Sequence, residues 1–186
     1  MDVTKILEAD HREVEQLFAK VSRAKGEART PIVEAITTAL RGHMELEEQV
    51  VYPVVRRVMG DEDFVEGNTE HDLVRKALED LAALAPDRPG FGATVAILRA
   101  GVMHHVEEEE DEVFPALRRD DGALGDIAKA FLEKRMELGM EMPPTALAAA
   151  SSKGELAEEA RLAGIDRATS MTKDELARAL VKKMAS

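Results

Sequence analysis

Two stretches decide how this chain folds: HMELEEQVVYPVVRR, from His43 to Arg57, and HVEEEEDEVFPALRR, from His105 to Arg119. Aligned without a gap, they pair His43 with His105, Glu45 with Glu107, Glu47 with Glu109 and Glu48 with Glu110. Val51 then pairs with Val113, Tyr52 with Phe114 and Pro53 with Pro115, and the two closing arginines of each stretch coincide. The repeat reaches upstream: His11 lies 32 residues before His43, and His71 lies 34 before His105. Two helical hairpins are therefore duplicated, each with one histidine on its first helix and His-x-x-x-Glu on its second.

The flanking sequence has helical periodicity throughout. Val3, Ile6, Leu7, Val14, Leu17, Phe18 and Val21 form one apolar stripe that contains His11 and ends at Gly26. Thr30-Pro31 opens a second helix whose stripe runs Ile36, Leu40, His43, Glu47, Val50, Val54 and closes at Gly60. A third helix, from about Asp61 to Ala85, carries Phe64, His71, Val74, Leu78 and Leu81, and Pro86–Gly90 breaks it. In the fourth, Phe91, Val95, Leu98, Val102, His105, Glu109 and Ala116 are in phase. These features predict an all-α, up-down-up-down four-helix bundle. A shorter fifth helix comes next, roughly Ala123 to Met140. Residues 141–151 read as a linker, and residues 152–186 as a small helix-loop-helix. Each of its two helices begins with a capping box, Ser152 with Glu155 and Thr172 with Glu175. The expected organisation is thus a bundle over 1–140, a linker over 141–151 and a helical module over 152–186.

Residues i and i+4 face the same way on a helix. Each His-x-x-x-Glu pair can therefore aim an imidazole and a carboxylate at one point inside the bundle. Pseudo-twofold packing of the hairpins would bring four imidazoles and two carboxylates together there. Buried carboxylates without partners would cost several kcal/mol each, by order of magnitude, and a pair of cations removes that cost. The candidate metal ligands are His11, His43, Glu47, His71, His105 and Glu109. His104 is out of phase, because the interval from His105 to Pro115 matches that from His43 to Pro53. Of the acidic run Glu107–Glu112, only Glu109 has the ligand phase. Glu48 and Glu110 are candidates to support the ligands from outside, and Pro53 and Pro115 mark kinks or helix ends.

On these residues, together with the VYP and VFP endings, roughly the first 140 residues resemble the hemerythrin-like family, the HHE cation-binding domain. The resemblance implies a non-haem di-iron centre bridged by the two glutamates. Oxygen-carrying hemerythrins use a fifth histidine, and His104, the only spare one, is off the ligand stripe.

Composition narrows the chemistry. Across 186 residues there is no cysteine, so thiolate metal sites and disulfides are excluded, and any metal must take imidazole and carboxylate ligands. Six N/O ligands for two ions suit iron, with manganese as the alternative, and each octahedral ion would keep positions for an external ligand. Dioxygen, peroxide and nitric oxide are the small ligands expected. A catalase-like peroxide disproportionation, or an oxidase reaction with an electron donor the sequence does not name, competes with non-catalytic iron, oxygen or nitric oxide binding, sensing or storage. Tyr52, the only tyrosine, lies about half a turn from His43, nine positions at roughly 100° each. That predicts a packing residue like Phe114, with a ligand or redox role as the alternative.

No run of 18 apolar residues is present and the N-terminus is acidic and amphipathic, which predicts a cytoplasmic protein without a membrane segment. The net charge of −12 opposes non-specific nucleic-acid binding. It resides in residues 1–140, since 141–186 hold 7 basic and 7 acidic residues. The tail resembles the N-terminal helix-loop-helix module of transcription termination factor Rho and SAP-like domains. The matching residues are Glu155-Leu156, Ala160, Gly164-Ile165, Met171-Thr172-Lys173 and Glu175-Leu176. Such modules often touch nucleic acid; the neutral charge and missing aromatics of this one argue against that contact.

Overall fold

The computed structural model describes residues 1–120 and 122–184. All regular structure among them is helical, and the core is a four-helix bundle with additional helices. The chain divides into two compact units, Asp10–Asp121 and a second made of Met1–Ala9 with Gly122–Ser186.

The unit Asp10–Asp121 holds the bundle. Its elements are α1 (Thr4–Arg23, which starts in the other unit), α2 (Thr30–Leu46), α3 (Tyr52–Val58), α4 (Asp61–Ala82), α5 (Phe91–Glu108) and α6 (Phe114–Arg119). A single π-helical turn joins α2 to α3 over Glu47–Val51, and another joins α5 to α6 over Glu109–Val113. The bundle interior is aliphatic apart from two phenylalanines. Val14, Phe18 and Val21 meet Ile36, Leu40 and Met44, Val74, Leu78 and Leu81, and Phe91 to Val106 at helical spacing. Truncating a fully buried side chain such as Phe18 to alanine would cost about 3–5 kcal/mol. Gly60 and Gly122, which occupy matching places after the two repeats, both have positive φ, 122° and 108°. Each lets the chain turn into the next helix at little steric cost.

In the second unit, α7 covers Ala123–Glu137, α8 Pro144–Ala150, α9 Lys153–Leu162 and α10 Lys173–Met184. The stretch expected to be a linker over 141–151 contains α8. Pro144 opens it, and Ala146, Leu147, Ala148 and Ala150 are buried. Alanine carries the highest helix propensity, and these small side chains have an apolar surface to pack on that local sequence does not reveal. Asp2 N–H donates to Ala150 O at 2.6 Å, which ties the first residues into this unit. Both expected capping boxes form. Glu155 N–H donates to Ser152 Oγ and Ser152 N–H to Glu155 Oε2. Glu175 N–H donates to Thr172 Oγ1 and Thr172 N–H to Glu175 Oε2. Among the described residues, no helix is long and apolar enough to cross a membrane.

Candidate metal centre

α1, α2, α4 and α5 each contribute one histidine to the bundle interior: His11, His43, His71 and His105. All four are buried, as are Glu47 and Glu109. The four imidazoles turn their Nε2 atoms inward in two pairs, His11 with His43 at 3.1 Å and His71 with His105 at 3.1 Å. Each glutamate reaches both pairs. Glu47 sets Oε1 3.0 Å from His43 Nε2 and Oε2 3.4 Å from His71 Nε2. Glu109 sets Oε2 3.3 Å from His11 Nε2 and Oε1 3.6 Å from His105 Nε2. Yet both Glu47 oxygens and Glu109 Oε2 are buried without a geometrically sound hydrogen bond. Native interiors rarely tolerate such orphans. A set of two carboxylates, each spanning two imidazole pairs, can hold two cations with carboxylate oxygens shared between them.

The outward Nδ1 atoms are held by a second ring of carboxylates. Glu110 Oε1 lies 2.8 Å from His11 Nδ1, Glu48 Oε1 2.8 Å from His71 Nδ1, and Glu70 Oε2 2.7 Å from His105 Nδ1. Asp10 Oδ2 stands 3.6 Å from His43 Nδ1, an ion-pair rather than a hydrogen-bond distance. With the proton on Nδ1, each Nε2 lone pair faces the interior, the orientation a metal requires. Arg75 steadies Glu48 through both carboxylate oxygens, and Arg12 is bonded to Glu110. Glu48 and Glu110 are legible from the duplication. Asp10 and Glu70 escape a reading by helical phase, although each directly precedes its repeat's first histidine and so carries a signal.

These charges alter the titration of the groups. Burial alone would lower the His43 pKa, but the Glu47 and Asp10 carboxylates outweigh it and hold it well above the ordinary imidazole value. His105, opposed likewise by burial, is raised to about 9 by Glu109 and Glu70. Burial would raise Glu47, but His43 and His71 hold it well below the usual carboxylate range.

Tyr52 departs from its helical phase. Its hydroxyl lies 3.2 Å from His71 Nε2 and 3.5 Å from Glu109 Oε1, beside the centre rather than across from it. The π turn is the cause. Tyr52 N–H bonds to Glu47 O, five residues back, and the extra residue rotates the later part of the helix by about 100°. Pro53 favours that turn because it has no N–H to continue an α-helical ladder. Phe114 occupies the matching place, bonded by its N–H to Glu109 O and stacked on His11 with centroids 5.8 Å apart. Burial first, then Glu109 and Glu47, push the Tyr52 pKa far up, so the phenol keeps its proton. Gly67 makes room for it: a Cβ there would stand 2.7 Å from the Tyr52 hydroxyl. His104 points outward and is exposed, as its phase predicts.

Residues 2–117 match the sequence profile described as the Hemerythrin HHE cation binding domain. The chain belongs to that family. A DNA nickase from Nostoc sp. (strain PCC 7120 / SAG 25.82 / UTEX 2576) is 31% identical over 121 residues, 64% of this chain and 34% of the nickase. The chain thus spans about a third of that relative's length. A crystal structure of a hemerythrin HHE cation binding domain-containing protein, the Rv2633c homolog from Mycobacterium kansasii, superposes with a TM-score of 0.62 at 20% identity. It covers 74% of this chain and 89% of its own, a likeness of fold.

Proposed function

We propose that this HHE-family chain holds two iron ions through His11, His43, Glu47, His71, His105 and Glu109, and binds a small ligand there without turning it over. Binding, sensing or storing dioxygen, nitric oxide or iron are the roles that fit, in the cytoplasm. The observation that carries the reading is the pair of buried carboxylates, each directed at two imidazole pairs and left with orphaned oxygens. Bound iron would supply open coordination positions and redox chemistry. The chain's own residues orient the ligands through the outer carboxylates and exclude bulk water. Val14, Leu40, Met44, Val74, Val102 and Val106 line a cavity of about 20 Å³ against the histidines. A space of that size suits water or a diatomic molecule rather than an organic substrate.

Peroxide turnover is the second reading, and Tyr52 is what favours it: a protonated phenol beside the centre can donate a hydrogen bond to a bound oxygen species. DNA cleavage is not carried over from the Nostoc relative, because a net charge of −12 opposes phosphate binding. The experiment is metal analysis of purified protein followed by titration with nitric oxide, azide and peroxide. Two irons per chain, a spectral response to nitric oxide and slow peroxide loss support binding. Rapid peroxide consumption that His43→Ala abolishes would replace it with catalysis, and one zinc per chain would remove both.

A further inference from the structure

The duplication leaves one feature on only one side of the bundle. One residue before His105 and Glu109 stand His104 and Glu108, a second His-x-x-x-Glu pair on the neighbouring face of α5; the first repeat has Gly42 and Leu46 there. His104 Nε2 lies 3.3 Å from Glu108 Oε1 and 3.8 Å from Glu70 Oε1. The three side chains offer ligand atoms within 4.8 Å of one another at the surface of α4 and α5.

Two of the three, Glu70 and Glu108, are also wall residues of a neighbouring cavity. This cavity, of about 60 Å³, runs between α4 and the end of α5, with Asp63, Glu66, Glu108 and Glu112 around it and Tyr52, His105 and Glu109 also on its wall. Gly67 lines it too, where the first repeat has Leu7, and the Tyr52 hydroxyl takes the space that a side chain there would fill. Glu109 links this cavity to the inner cluster: its side chain is 3% exposed and lines the cavity wall, and its Oε2, 3.3 Å from His11 Nε2, is in no hydrogen bond. Glu70 belongs to both ends, with Oε2 on His105 Nδ1 at 2.7 Å and Oε1 turned towards His104.

We propose that Glu70, His104 and Glu108 form a third, solvent-facing site for a first-row divalent cation, which passes such ions through this cavity to the buried cluster. One imidazole and two carboxylates are the donor types such ions prefer, and an incomplete set keeps binding weak enough for release. The surrounding carboxylates raise the local cation concentration. The destination of the ion rests on the proposed two-ion centre; the outer site does not.

The test is cobalt(II) binding to the full chain, by equilibrium dialysis and by the rate at which the visible spectrum develops. Wild type should bind a third, weaker cobalt, which His104→Ala and Glu108→Gln remove while keeping the two tight ones. Both variants should load the buried cluster roughly tenfold more slowly. In His43→Ala, where the inner cluster is crippled, the weak cobalt should persist and disappear on adding His104→Ala. That arm separates failure of the outer site from failure of the inner one. Equal cobalt counts in wild type and His104→Ala would overturn the site. Loss of the third ion with unchanged loading rates would overturn the passage.

Discussion

The Glu48 carboxylate accepts a hydrogen bond from His71 Nδ1 at 2.8 Å, across from one hairpin to the other. Its repeat partner Glu110 does the same for His11 at 2.8 Å. Each hairpin thus orients an imidazole that belongs to its twin, so neither half of the centre is complete alone. Glu48→Ala and Glu110→Ala should each lower metal affinity by about 10–100-fold, the usual cost of removing such a support. Glu107→Ala, on the exposed face, should leave it unchanged. Competition titration with a chelator checks this, and equal losses from Glu107 and Glu110 would refute it.

Tyr52 and Gly67 should behave as a coupled pair. Gly67→Ala drives a methyl against the Tyr52 hydroxyl and should destabilise by about 1–3 kcal/mol, as overpacking usually does. Adding Tyr52→Phe removes the nearest atom and should recover part of that loss. Urea denaturation of both single variants and the double variant reads the coupling. Strict additivity would show that the ring moves aside freely.

Alone, Tyr52→Phe should keep both metal ions, because the hydroxyl lies beside the imidazoles without replacing one. It should weaken azide binding to the iron-loaded protein by about fivefold, equivalent to one lost neutral hydrogen bond of ~1 kcal/mol. An unchanged azide titration would make Tyr52 a packing residue after all.

Metal-free stability should fall as pH rises, and the stabilisation that metal adds should grow over the same window. His43 is raised well above 6.5 in the metal-free protein, and His105 from 6.5 to about 9. A raised folded-state pKa contributes stability that is fully present below the unfolded value and lost as pH rises through the folded one. The metal-free melting temperature should therefore fall from about pH 6.5 towards about pH 9. Metal requires neutral imidazoles, so the gain in melting temperature on loading should grow over that window. Calorimetry of both forms checks it; a gain that shrinks with rising pH would contradict it.

The duplicated His-x-x-x-Glu stretches determined the helical class and the phase that brings His11, His43, Glu47, His71, His105 and Glu109 together. Periodicity and internal symmetry are both written in a single chain, and positions one turn apart must share a face. The capping boxes at Ser152 and Thr172 were legible for the same reason, since their partners lie three residues away. The features that tertiary structure alone decided involve longer range or a broken period. Only packing could show that Asp10 and Glu70 meet imidazoles of another helix, because the crossing of helices sets those distances. Helical phase sent Tyr52 to the far face, and a π turn before Pro53 brought it back, since one inserted residue rotates everything after it. The sequence 141–151 reads as a linker until its alanines are seen buried in α8. Short helices gain most of their stability from the surface they pack on, and that surface is not encoded locally.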